Sequence, residues 1–150
     1  MVYGTAYYEF KMEFIAELHD VMEKSVVLVM IGGDFNLVRN VSDKNNGQIN
    51  NNWSFLFNDW INKWALVDMK LANRSFTWSN NQAIPIMATL DRVLATTNWC
   101  GLFSNISIRT LPKPVSDHTP ILNILVLITP LHPSCLDLKN GGWSILSLLI

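Results

Sequence analysis

The chain has 150 residues, 49% apolar and 15% charged, with a net charge of −1. That length suits one domain, and the charged fraction lies well under the usual share of about 25%. Near-neutrality excludes bulk attraction to phosphate, so any nucleic-acid contact must be local. Residues 1–97 carry eighteen of the 23 charged side chains. Cys100 and Cys135 have neither metal-ligand spacing nor a disulfide framework, which points to a reducing compartment. No charged segment followed by an apolar core marks a signal peptide; the location is open, nuclear or cytoplasmic if the chain is expressed. Ile121 to Leu131 is apolar, but eleven residues are too few to span a bilayer, and no membrane partner is expected.

Met1 to Tyr3 reads as the end of a strand closed by Gly4. Residues 6–24 have helical periodicity, with Phe10, Phe14, Leu18, Val21 and Met22 on one face and the carboxylates largely off it. His19 reads as an exposed helix residue. The run Val26 to Ile31 then predicts a buried strand covered on both faces. Gly32 and Gly33 allow a turn or a close backbone approach. Asp34 and Asn36 follow at the strand's end, on one face if the extended period of two continues.

Asn40 to Asn52 is a loop by composition, and Asn52 is a candidate cap for the next helix. In that helix Trp53, Phe57, Trp60, Ile61 and Trp64 form an aromatic stripe suited to a core rather than to base stacking. Ala65 to Leu71 reads as a short connection. Ser75 to Ser79 predicts a brief strand, Asn80-Asn81 a turn, and Ala88 to Thr96 another strand interrupted by Asp91-Arg92. Asn98 to Phe103 is helical or turn. Ile106 and Ile108 alternate into a strand ended by Pro112 and Pro114, and a last apolar strand runs from Ile121 to about Ile128. Helices and strands alternate first and strands dominate later, which indicates an α/β sandwich. Residues 127–150 form an unassigned hydrophobic tail in which His132 and Cys135 have no evident role.

Four polar sites stand beside apolar strands: Asp34 with Asn36, then Asp91, Asp117 and His118. Singly, each is an ordinary cap or loop residue. Together they supply carboxylates for a hard cation, a carboxylate to orient an imidazole, the imidazole and an amide. That set suits hydrolysis of a phosphate ester.

The segments Gly32-Gly33-Asp34-Phe35-Asn36, Phe76-Thr77-Trp78-Ser79, Leu90-Asp91-Arg92-Val93-Leu94 and Ser116-Asp117-His118-Thr119-Pro120-Ile121 carry a resemblance. In order and approximate spacing they resemble the endonuclease/exonuclease/phosphatase superfamily. Within it, they look most like the endonuclease domains of plant non-LTR (LINE-type) retrotransposons. The resemblance runs from Val2 to about Leu125. It implies a partial four-layer α/β sandwich, with residues 1–126 as the C-terminal part of the domain and the N-terminal half missing. It implies that Asp34 orients or activates the attacking water and that Asn36 holds that water or the phosphate. His118 would contact the scissile phosphate and Asp91 would pair with its imidazole. Tyr3 would touch the phosphate, although Thr5 stands where the family often has proline. Asp117 would contribute to a Mg²⁺ or Mn²⁺ site, and DNA would be the partner.

The family's Asn and its main metal ligand, a Glu, belong to the half that is not here, and no Glu follows residue 23. The expectation is therefore a fragment of a metal-dependent DNA endonuclease, inactive or nearly so alone. A degenerate, non-catalytic interaction protein and a phosphatase of the same superfamily are the alternatives.

Overall fold

The computed structural model describes residues 1–25, 28–103, 105–112, 116–126 and 146–149. Val26, Val27, Pro114, His132 and Cys135 lie outside the described residues. The chain opens with a two-residue strand, β1 (Val2–Tyr3), and a 3₁₀ turn at Tyr8–Phe10 leads into α1 (Lys11–Glu23). Phe14, Ile15, Leu18 and Met22 are its buried stripe. Phe10 and Val21, expected on that stripe, are half exposed. Adding Ile15 rotates the buried face, and at about 100° per residue Phe10 and Val21 then fall on its flank. His19, expected to be exposed, is half-buried and accepts a hydrogen bond from Trp64 Nε1 at 3.2 Å.

Among the described residues of the apolar run, Met30 and Ile31 belong to a strand, β2, which spans Met30–Asp34. With Leu66–Asp68 as β3 and Asp91–Thr96 as β6, it is central in a four-stranded sheet of order β1-β2-β6-β3, in which β1 runs parallel to β2 and the other pairs are antiparallel. β3 is Leu66–Asp68, part of the segment read as a connection. Three residues are too few for a period of two to show in sequence. The predicted strand over residues 88–96 divides into β5 (Met87–Ala88) and β6 (Asp91–Thr96). β5 pairs with β4 (Trp78–Ser79), the paired end of the segment expected over residues 75–79. The break falls at Thr89-Leu90, where the backbone turns to other partners: Thr89 N–H donates to Asp43 O, and Leu90 O accepts from Phe35 N–H.

α2 (Asn51–Lys63) is capped by Asn50, not Asn52; the Asn50 side chain accepts from Trp53 N–H at 3.2 Å. Helix ends leave four N–H groups without intrahelical partners, which is what this cap relieves. Trp53, Phe57, Trp60 and Ile61 are buried as the stripe predicted. They meet Ile31, Phe35, Leu94 and the buried face of α1 in one core. Phe35, Phe57 and Trp60 form its centre, with Phe57 stacked on Trp60 at 5.8 Å and Phe35 5.3 Å from Phe57. Burying each such side chain contributes about 1.5–3 kcal/mol.

The other face of the sheet carries Met30, Val93 and Ala95. There it packs against Ile106, Ile108 and Ile121, and against Trp99 and Phe103 around α3 (Thr97–Leu102). Those isoleucines belong to a second, antiparallel sheet of β7 (Asn105–Thr110), β8 (Ile121–Val126) and β9 (Leu146–Leu149). Part of the unassigned tail is thus a strand paired with β8; residues 127–145 lie outside the described residues. The protein is a mixed α/β structure with α1 and α2 on one face of a sheet and a second sheet against the other.

Candidate functional site

Asp34 ends β2, and the chain leaves the extended conformation there. Asn36 has φ 48, in the left-handed region that Asn tolerates better than most residues. The expected period of two is therefore not what unites the pair. Instead Asn36 folds back on Asp34: its backbone N–H donates to Asp34 Oδ1 at 2.8 Å and its Nδ2 to Asp34 Oδ2 at 2.7 Å. The second Nδ2 hydrogen goes to Gly4 O at 2.8 Å. A carboxylate and a carbonyl are both acceptors, so the orientation of the amide follows from its partners. What remains of Asn36 is Oδ1, an acceptor.

The close approach of β1 makes this bridge possible. Gly33 has φ 145, and a Cβ there would collide with Val2 O. A Cβ on Gly4 would collide with Phe35 O.

Asp91 begins β6 directly across from Asp34. Like charges opposite one another on neighbouring strands are unfavourable. The imidazole of His118 offsets this, with Nδ1 2.9 Å from Asp91 Oδ2 and Nε2 3.8 Å from Asp34 Oδ2. The carboxylate can only accept, so Nδ1 carries a hydrogen and Nε2 faces Asp34. Backbone pairing delivers the ring: Trp78 bridges to His118, and Thr119 N–H donates to Thr77 O at 2.7 Å. Burial pushes the Asp34 carboxyl above its ordinary value of 3.8, against the pull of the Asn36 N–H; the Asp91 charge pushes the same way, and His118 and Lys11 oppose it.

Asp117, expected at the metal, is exposed, and its Oδ2 accepts from Trp78 Nε1 at 3.1 Å. Among the described residues, the group able to hold a cation is Asp34, Asp91 and His118, whose ligand atoms lie within 4.8 Å of one another; Asp117 is not a member. The Tyr3 ring is exposed on the strand beside Asp34. Asp34, Asn36, Asp91 and His118, each chosen from sequence, are thus brought together.

Three contributors carried no assigned role in the sequence reading. Thr77 is fully buried, and its Oγ1 accepts from the backbone N–H groups of Leu90 and Asp91 at 3.1 and 3.0 Å. Arg92 explains the charged pair inside a strand. Its side chain lies on the sheet face opposite Asp91. There it donates to Asp43 at 2.6 Å and to Asp68 at 2.7 Å. Asp68 also accepts from Arg39 at 2.7 Å, so edge strand and loop are fastened together. Lys11 donates to Asn36 O at 2.8 Å and Thr5 O at 3.1 Å. Burial lowers its pKa, and the Asp34 charge opposes that.

A cavity of about 240 Å³ lies behind Asp91, lined in part by Asp43, Asp68, Asp91, Lys70, Arg74 and Arg92. Three acidic and three basic groups balance, so it offers no net field to an anion.

No protein-family model matches the chain, and no curated protein matches it.

Whether the donor set suits a divalent cation follows from its chemistry. The 3.8 Å between His118 Nε2 and Asp34 Oδ2 is within the span of one cation with bonds of about 2.1 Å. Two carboxylates and one imidazole suit Mn²⁺ better than Mg²⁺, which favours oxygen and retains water.

Proposed function

We propose that the chain is part of a divalent-metal-dependent phosphodiesterase of the endonuclease/exonuclease/phosphatase type, with DNA as substrate, and that alone it binds the cation without appreciable turnover. The observation that carries this reading is the convergence of Asp34, Asn36, Asp91 and His118 from three separate segments onto one site. The partial four-layer sandwich of that superfamily is part of the proposal; the helix–sheet–sheet stacking supports it.

Each side chain has a task its chemistry allows. Asp34, ionised, takes a proton from the attacking water. Asn36 offers Oδ1 to the same water. Both of its amide hydrogens are used within the protein, so it suits water better than a phosphate oxygen. Asp91 holds the His118 ring by Nδ1 and fixes its orientation. The Nε2–H of that imidazolium donates to a phosphate oxygen and stabilises the charge that builds there. Tyr3 stands beside the site to contact the same phosphate. A bound Mn²⁺ or Mg²⁺ supplies Lewis-acid polarisation of the phosphoryl group.

A proton and a cation compete for His118 Nε2. With no Glu after residue 23, the cation falls to Asp34, Asp91 and His118, and His118 then cannot serve the phosphate. This is the physical reason for the proposed inactivity. Nicking of supercoiled plasmid in Mn²⁺ tests it. We expect trace nicking at most, with any trace lost in His118→Ala. Robust nicking that depends on His118 overturns the inactivity. A second reading, a non-catalytic interaction protein, draws on the largely apolar groove between the helices, lined by Tyr8, Met12, Asn52, Trp53, Phe55 and Leu56. Under that reading the protein self-associates in size-exclusion chromatography, and Tyr8→Ser with Phe55→Ser restores a monomer.

A further inference from the structure

Lys11 is the first residue of α1, where a cation opposes the helix dipole. Nothing in the amphipathic pattern of that helix asks for it. Its side chain instead leaves the helix and spans two loops, donating to Thr5 O after β1 and to Asn36 O after β2. Lys11 is half-buried, and these two carbonyls replace water that its ammonium group has lost. Asn36 sits in the left-handed region at φ 48 and its own side chain reaches the opposite loop at Gly4 O. Its N–H, Nδ2 and carbonyl oxygen are therefore each held, the last by Lys11 alone among the described residues.

We propose that Lys11 is a positioning residue for the site: by holding the Asn36 carbonyl it fixes the peptide whose side chain aims Oδ1 and braces Asp34. This rests on the phosphodiesterase reading only in calling Asn36 functional; the tether itself is independent of catalysis. Without Lys11 the Asn36 peptide is free to rotate out of the left-handed region. Its Nδ2 then loses one or both acceptors, and Asp34 loses its brace. Arginine at position 11 keeps a charged donor of similar reach and so keeps the tether.

The test uses the full chain and reads local order at Asn36 by NMR. Hydrogen exchange of Asn36 Nδ2 is compared in wild type, Lys11→Met and Lys11→Arg, with the Leu94 amide as a reporter of global opening. The proposal predicts Asn36 Nδ2 exchange at least about tenfold faster in Lys11→Met, near wild type in Lys11→Arg, and Leu94 changing less than Asn36. Equal acceleration at both reporters, or unchanged Asn36 exchange in Lys11→Met, overturns it. Should Lys11→Met not fold, wild type still decides: Lys11 Nζ must show slowed proton exchange and a through-hydrogen-bond coupling to the Asn36 carbonyl carbon. Absence of that coupling overturns the tether. Because no reading here is a reaction rate, an absent nuclease activity leaves this result intact, and a failed tether leaves the nuclease reading standing.

Discussion

Thr77→Val removes one oxygen and nearly nothing else. The residue has no exposed surface, and valine matches its shape. Two backbone donors, Leu90 N–H and Asp91 N–H, lose their shared acceptor. An unsatisfied buried donor costs about 1–3 kcal/mol. Both donors belong to half-buried residues, which places each near 1 kcal/mol, roughly 2 kcal/mol together. The added buried methyl returns about 0.8 kcal/mol. The net expectation is destabilisation by about 1–2 kcal/mol, seen in urea denaturation as a lower midpoint with an unchanged slope. Asp91 is also released at its own N–H, so Mn²⁺ binding weakens. Thr77→Ser keeps the hydroxyl, loses only a methyl, and leaves Mn²⁺ binding near wild type. A Thr77→Val protein as stable as wild type, with Mn²⁺ affinity unchanged, refutes the argument that this hydroxyl builds the corner carrying Asp91.

Arg92→Met leaves Asp43 with only the Arg39 and Asn40 N–H groups and Asp68 with Arg39 alone; breaking a buried ion pair in this way is expected to cost about 3 kcal/mol or more in urea denaturation. Gly33→Ala drives a Cβ into Val2 O and detaches β1, so the Gly4 amide, which donates to Asp34 O at 2.6 Å, should exchange with solvent roughly tenfold faster or more. The Asp34 carboxyl is raised above 3.8 in the folded chain, so folding takes up a proton between 3.8 and the raised value. Its contribution to stability is full below 3.8 and is lost as pH rises through the raised value; Asp34→Ala should flatten that part of a pH–stability curve. Cation and proton compete for the same carboxylate, so Mn²⁺ affinity should fall on acidification before an ordinary aspartate would protonate.

The helices were legible because each buries a continuous apolar face with its own period; the stripe of α2 from Trp53 to Ile61 is the clearest case. The central strand was legible only in part: the apolar run over residues 26–31 shares Met30 and Ile31 with β2, and the rest of β2 is Gly32, Gly33 and Asp34. The site's four principal residues were legible for a related reason: polar groups at the ends of apolar strands have little reason to be there unless something meets them. The short elements were not legible. β3 and β5 have three residues or fewer, and the break at Thr89-Leu90 is made by hydrogen bonds to Asp43 and Thr77, distant in sequence. Asp34 and Asn36 were expected to share a face by the extended period of two; the direct contact between them was not. It arises from a left-handed turn whose geometry no periodicity encodes. Asp117 was chosen as a ligand by its place next to His118; its carboxylate accepts from Trp78 Nε1 and is not in the group able to hold a cation among the described residues. Arg92 and Lys11 gave a signal in the form of charges where the local pattern wanted none, but the acidic partners of Arg92 lie 24 and 49 positions away and the carbonyls held by Lys11 lie 6 and 25 away.

The central claim is that Asp34, Asp91 and His118 share one divalent cation. Titration of the purified chain with Mn²⁺, followed by electron paramagnetic resonance, tests it most directly. One Mn²⁺ is expected to bind per chain, lost in His118→Ala and in Asp34→Asn but retained in Asp117→Asn. Binding that survives His118→Ala and Asp34→Asn, or no bound Mn²⁺ in wild type, contradicts it.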